Sequence, residues 1–264
     1  MAHATATAAF SAQAGMFDAI DAANPLIGWV RERVRQQALA AMKPGDTVLE
    51  LNAGTGIDSM FFAEKGMRVC ATDGAPGMVE QLRSKQVQFP QLDLEVMACS
   101  FLELEQLGDR RFQHVFSNFG GLNCTDRLDL VLKGLDRLLL VGGTCTLVIM
   151  PRFSPWELFS AFTGNFHLAA RRWRTGGAEA LVEGVSFQCH YYSPRYVRQH
   201  VGSGYSVIAQ RALSFFVPPP YKEGFMERWP VAFKILERIE DSLAHWPLIR
   251  DGGDHFVITL HKHR

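Results

Sequence analysis

Apolar residues along this chain fall into short continuous runs, separated by longer stretches in which polar and apolar positions mix at helical spacing. Val48, Leu49 and Leu51 form the first clear run, fit for a strand buried on both faces. It closes on Glu50 and breaks into Asn52-Ala53-Gly54-Thr55-Gly56. Met60, Phe61, Phe62 and Ala63 then make a helix-length apolar segment ending at Gly66, and Arg68–Thr72 predicts a second strand with Asp73 at its end. Gly74-Ala75-Pro76-Gly77 opens a helix carrying Met78, Val79 and Leu82. A third strand follows over Leu92–Ala98, and a fourth over Phe112–Ser117 that ends in Asn118-Phe119-Gly120-Gly121. Leu128–Val141 spaces its leucines by three and four, with Gly142-Gly143 as a helix stop, and Thr144–Met150 predicts a fifth strand. Strands and helices that alternate with short connections predict an α/β fold, a doubly wound parallel sheet with right-handed crossovers.

The flanks follow other rhythms. Upstream, Phe10–Ala23 and Leu26–Met42 read as two helices punctuated by Asn24-Pro25. The first 15 residues are alanine-rich without the basic region and apolar core of a signal peptide, and read as a flexible lead-in. After Pro151, Arg152–Arg174 is rich in aromatics and arginine, and Ala180–Tyr192 has strand character until Pro194 breaks it. Tyr205–Val217 predicts a long strand stopped by Pro218-Pro219-Pro220, Met226–His245 a helix, and His255–His261 a last strand. The division predicted is an N-terminal helical lid over 1–43, a core over 44–150, an inserted cap over 151–200, and the rest of the same sheet domain over 201–264.

Composition narrows the function. Among 264 residues, 27 basic side chains balance 27 acidic ones, which leaves little electrostatic case for a nucleic-acid partner. No apolar run approaches the ~18–20 residues that span a bilayer, so a cytoplasmic protein, monomer or homodimer, is expected. Cys70, Cys99, Cys124, Cys145 and Cys189 show no CxxC pair or zinc spacing; reduced thiols and no metal are expected.

The chemistry concentrates after the first strand. Gly54 and Gly56 remove side chains where a ligand must approach the backbone closely. Asp73 stands 23 positions beyond Glu50, the span of one helix and one strand, which returns it to the same turn. There a carboxylate can accept two vicinal hydroxyls. Met78 could pack on a purine face, with Ser100 and Phe101 as polar contact and aromatic wall at its edge. A dinucleotide fingerprint needs a third glycine where this chain has Ser59, and an acid at Glu50 suits an ammonium better than a pyrophosphate.

Glu50-Leu-Asn-Ala-Gly54-Thr-Gly56 followed by Asp73 resembles the signature of class I S-adenosylmethionine-dependent methyltransferases, over most of residues 40–150. The resemblance implies a Rossmann-like, seven-stranded mixed sheet of order 3-2-1-4-5-7-6, with Tyr205–Val217 and His255–His261 as antiparallel strands six and seven. It implies S-adenosylmethionine as cofactor, held at Glu50, Asn52, Ala53, Gly54, Gly56, Asp73, Gly74, Met78, Ser100 and Phe101, with Asn118 and Phe119 on the methionine and substrate side. Asn52 departs from the family's usual glycine, yet asparagine tolerates a left-handed backbone. Phe17, beside Asp18, either folds over the cofactor or lies on a surface amphipathic helix. The function implied is methyl transfer to a small organic acceptor; the alternative is a non-catalytic, S-adenosylmethionine-binding regulatory protein on the same scaffold.

Other residues keep two readings. Arg171 and Arg172 either hold an acidic group on an apolar acceptor or form a solvated helix face. His190, Tyr191 and Tyr192 either face the substrate, with His190 or Tyr191 as proton acceptor, or pack a cap strand. His114 reads as a satisfied core histidine, and His3, His255, His261 and His263 as structural or exposed.

Overall fold

The computed structural model describes residues 2–264, with side chains from Thr5 onward; Met1 and the side chain of His3 lie outside it. The elements run in chain order α1 (Ala2–Ala23), α2 (Pro25–Leu39), β1 (Thr47–Glu50), α3 (Ile57–Glu64), β2 (Arg68–Asp73), α4 (Pro76–Gln88), β3 (Leu94–Ala98), β4 (Phe112–Ser117), α5 (Leu128–Leu138) and β5 (Leu139–Ile149). Then come α6 (Pro155–Phe159), α7 (Phe166–Ala170), a hairpin of β6 (Ala178–Val182) and β7 (Val185–Cys189), α8 (Pro194–Val201), β8 (Tyr205–Leu213), α9 (Phe225–Arg228), α10 (Pro230–Leu243) and β9 (His255–Lys262).

Seven strands form one sheet in the order β3-β2-β1-β4-β5-β9-β8, which is 3-2-1-4-5-7-6 when the cap hairpin is set aside. The first five strands pair parallel, and β9 runs antiparallel to both β5 and β8. Alternate residues of the same strands feed two cores. Leu49, Val115, Leu147 and Ile258 face α5 and α8, where Leu128, Leu132, Leu135 and Val197 meet them. Val48, Phe116, Val148 and Val257 face the other way, onto Trp29, Val30 and Val34 of α2, Phe62 of α3 and Phe233 of α10. Burial of each such side chain contributes about 1.5–3 kcal/mol, so both faces must be covered, and the helices cover both. His114 is a core histidine as expected, its ring nitrogens bonded to Thr144 Oγ1 at 2.6 Å and Asp46 Oδ2 at 2.9 Å. All five cysteines are free and buried. Among the described residues no helix is long and apolar enough to cross a membrane.

Several boundaries differ from the sequence reading, each for a local reason. The alanine-rich start is not a flexible lead-in: α1 is a single helix from Ala2, because alanine is the best helix former and its small side chains make a packing face. Ala6, Ala9 and Ala14 are buried on that face, and a Cβ on Gly77 at the start of α4 would stand 2.5 Å from the Ser11 carbonyl, so α1 and α4 cross in close contact. Helix α5 ends at Leu138 rather than Val141, because Leu139 is already extended (φ −91°, ψ 128°) and begins β5; Gly142, at φ +84°, sits inside that strand. The stretch 180–192 is a hairpin rather than one strand, turned by Glu183 (φ +48°) and Gly184 (φ +74°). Pro194 begins a helix, capped by the Ser193 hydroxyl, which accepts from the Tyr196 N–H. Pro230 splits the expected helix over 226–245 into α9 and α10.

Candidate active site

The carboxyl ends of β1, β2 and β4 open into a cleft that all three strand ends line. Asp73 is fixed at its floor. Its Oδ2 accepts from the Gly54 N–H at 2.9 Å and its Oδ1 from the Ala75 N–H at 2.8 Å, which pins the glycine turn to the end of the second strand. Burial pushes its carboxyl above the ordinary range, against the pull of these backbone donors. Gly54 has φ +59°, and a Cβ there would meet only the Phe17 ring at 3.8 Å, so ring and bare backbone face each other across the cleft. Asn52 adopts φ +44°, as its type allows; its Oδ1 accepts from Ser117 Oγ at 2.6 Å and its Nδ2 donates to the Asn118 carbonyl at 3.2 Å. That amide occupies the space a Cβ on Gly121 would need, 2.4 Å away, so the β1 and β4 loops depend on each other.

Phe17, Glu50, Asn52, Ala53, Gly54, Asp73, Gly74, Met78, Phe101, Asn118 and Phe119 all line this cleft. Two expected residues do not. Gly56, at φ +87°, caps α3, and a Cβ on it would stand 2.4 Å from Leu82 Cδ2; its bareness serves the packing of α4, not a ligand. Gly56→Ala is therefore expected to cost about 1–3 kcal/mol of stability, read as a lower Tm, with donor affinity following only as the fold loosens. Ser100 sits behind Gly74, with its Cβ 3.4 Å from where a Gly74 Cβ would stand.

A charged cluster escaped the sequence reading. Asp58 is buried at the start of α3 and accepts from Arg31 at 2.5 Å, Arg35 at 2.7 Å and Asn118 Nδ2 at 2.8 Å. Glu50 is buried beside it and accepts from the Ser59 hydroxyl. Burial first, then the Asp58 charge, pushes the Glu50 carboxyl well above its ordinary range. Arg31 and Asp58 both line the cleft; Arg31 also pairs with Asp21, lies 4.6 Å from the Phe119 ring centre, and keeps a buried Nε without a hydrogen-bond partner. Helical spacing showed Arg31 only as a polar position on α2, and no motif links it to Asp58.

Helix α1 forms the roof. Asp18 accepts from the Thr55 hydroxyl and pairs with Lys85 at 2.6 Å, while Ala6, Thr7, Phe10 and Phe17 line the cleft. Phe10 meets Phe187 of the cap hairpin with ring centres 5.7 Å apart, so hairpin and helix close over the same loop at Cys124.

The cap residues go elsewhere. Arg171 and Arg172 form neither a solvated face nor an open cradle: Glu157 takes both, Arg171 at 2.6 and 2.8 Å and Arg172 Nε at 2.7 Å, and Arg172 also donates to Asp254 Oδ1 at 2.7 Å. Tyr192 donates to the Thr125 carbonyl at 2.5 Å. His190, Tyr191 and Tyr192 line a second cleft and not the first, so His190 and Tyr191 are not placed to accept a proton beside Asp73. Burial holds the His190 ring below its ordinary pKa. Among the described residues no group of three metal-ligating side chains converges.

Comparison with known proteins agrees with this geometry. Residues 48–143 match a family described as "Methyltransferase domain". The chain is 36% identical to a demethylmenaquinone methyltransferase of Thermobifida fusca over 49% of its own length and 57% of the relative's. It is 30% identical to a malonyl-[acyl-carrier protein] O-methyltransferase of Serratia marcescens, over 58% and 56%. It thus spans under two thirds of either curated relative. A solved Burkholderia thailandensis 1,6-didemethyltoxoflavin-N1-methyltransferase, with its substrate and S-adenosylhomocysteine bound, shares the fold at a TM-score of 0.57 and 14% identity, over 99% of this chain and 88% of that one. Glycine turn, second-strand acid and sheet order agree with the family match: over residues 48–143 this chain is similar to the methyltransferase-domain family.

Proposed function

We propose that the protein transfers a methyl group from S-adenosylmethionine to a small organic acceptor. The observation that carries the reading is Asp73: a buried carboxylate held by two backbone donors at a bare glycine turn, within a cleft walled by Met78 and Phe101. Its remaining lone pairs suit a ribose diol, the two apolar side chains suit a purine, and Glu50 suits the ammonium of an amino acid. The names of relatives that act on a menaquinone precursor, a malonyl thioester and a toxoflavin precursor support a small acceptor.

The bound donor supplies a methyl carbon on a positively charged sulfur, open to attack by an acceptor lone pair. The protein's part is to hold and align. Asp73 and the Gly54 turn fix one end and Glu50 the other, while Phe17 and Phe10 on α1 exclude water. Positioning of this kind is worth up to ~7–11 kcal/mol in favourable cases. The proton of an O–H or N–H acceptor leaves to solvent or to the acceptor's own base, since no base from the cap reaches this cleft.

Incubation of the full chain with methyl-labelled donor and a panel of phenols, carboxylates and amines tests the reading. Release of S-adenosylhomocysteine with one acceptor class is expected. Donor binding with no turnover on any class would favour the non-catalytic, regulatory alternative. Absence of donor affinity with uptake of a nicotinamide dinucleotide would sink both.

A further inference from the structure

Outside the donor cleft, the strongest unassigned feature is the second cleft, between the cap and α8. Four arginines line it, the buried and paired Arg172 and the exposed Arg152, Arg174 and Arg195, together with His190 and Tyr196; Asp126 is the single carboxylate among its lining residues. None of the three exposed guanidinium groups makes an ion pair, a side-chain hydrogen bond or a ring contact among the described residues. This contrasts with Arg171 and Arg172, whose charges Glu157 and Asp254 neutralise. Three exposed guanidinium groups without an acidic partner, gathered on one concavity, concentrate positive potential there.

Two further details mark the wall of this cleft. His190 lines the cleft, and its Nε2 is buried behind the wall without a hydrogen-bond partner. Gly177, at φ +92°, brings bare backbone against that ring: a Cβ on it would stand 3.2 Å from His190 Nδ1 and 2.6 Å from the Cys189 carbonyl. The wall is rigid here. The His190 N–H donates to the Asn123 carbonyl at 2.7 Å, and Asn123 Nδ2 returns a bond to the His190 carbonyl at 2.5 Å.

We propose that this second cleft is an anion site, which takes the phosphate or carboxylate group of a small organic ligand on Arg152, Arg174 and Arg195. Planar guanidinium groups pair with either group through two parallel N–H donors, and the neighbouring Tyr196 ring offers a surface to the organic remainder. The inference does not depend on methyl transfer.

Calorimetry on the full chain at constant ionic strength, with phenyl phosphate, phthalate and neutral benzyl alcohol as probes, tests it. Saturable binding of at least one anionic probe, and none of the alcohol, is expected. The Arg152→Gln/Arg195→Gln variant should weaken that binding by about tenfold per guanidinium removed. Both changes are at exposed positions, and an unchanged Tm with an unchanged S-adenosylhomocysteine affinity would show that fold and donor cleft are intact. Binding of phenyl phosphate alone identifies a phosphorylated ligand, and of phthalate alone a carboxylate. No saturable binding, or equal binding by the variant, overturns the proposal. Failure of the wild-type chain to bind S-adenosylhomocysteine would instead count against the methyltransferase reading and leave the anion site standing.

Discussion

Asp73→Asn is expected to lower affinity for S-adenosylhomocysteine by roughly 10–100-fold and to lower the melting temperature as well, because its amide turns an N–H onto one of two backbone donors. The carboxylate does two things at once. Inward, it accepts from the N–H groups of Gly54 and Ala75 at 2.9 and 2.8 Å; outward, its spare lone pairs face the cleft. An amide keeps the shape but replaces one acceptor oxygen with a donor, and it removes the charge that strengthens hydroxyl bonds, each worth about 1.5–3 kcal/mol. Burial has already raised the carboxyl above its ordinary value of 3.8. Binding that needs the ionised form must therefore weaken as pH falls through that raised pKa, at a higher pH than an exposed aspartate would show. Titrations of both proteins across the acid range check this. Equal affinity in wild type and variant would remove Asp73 from the site.

Much of this cleft was legible in the chain because its signals are local. The apolar runs at Val48–Leu51 and Arg68–Thr72 and the glycine turn between them lie within one βαβ unit, and the residues that reach the cleft from it sit at the carboxyl ends of its strands, in the turn, or at the start of α3. What was missed depends on contacts between distant segments. Arg31 meets Asp58 across 27 positions, and helical spacing cannot tell an arginine bound for a buried pair from a solvated one. Gly56 illustrates the converse error: its left-handed φ was forced by the turn, but the atom its bareness admits belongs to Leu82. The alanine-rich start misled because alanine carries no periodic polarity; its helix is recognisable only from the surfaces it covers, α4 and the cap hairpin.

Arg171 and Arg172 misled for a related reason, and their partner carries the second large effect. Glu157→Gln is expected to destabilise the protein by about 3–5 kcal/mol and to open the cap to proteolysis around residues 151–177. Glu157 is 1% exposed and Arg172 is 2% exposed, so loss of the shared carboxylate strands a buried guanidinium that Asp254 alone must balance. Burial by itself would raise both carboxyls. The bonds from Arg171 and Arg172 outweigh it at Glu157, and His255 with Arg172 outweighs it at Asp254, so both stand below their ordinary values of 4.5 and 3.8. A depressed pKa stabilises the fold above the unfolded value, and that contribution is lost as pH falls through the folded one. The Tm gap between wild type and Glu157→Gln should accordingly be widest near neutral pH and shrink once the pH drops below about 4.5, the wild type's loss of charge bringing it toward the variant. A gap that is absent at neutral pH, or one that grows with acid, would show that the cap is held by its apolar contacts and that this buried network of charges contributes little to it.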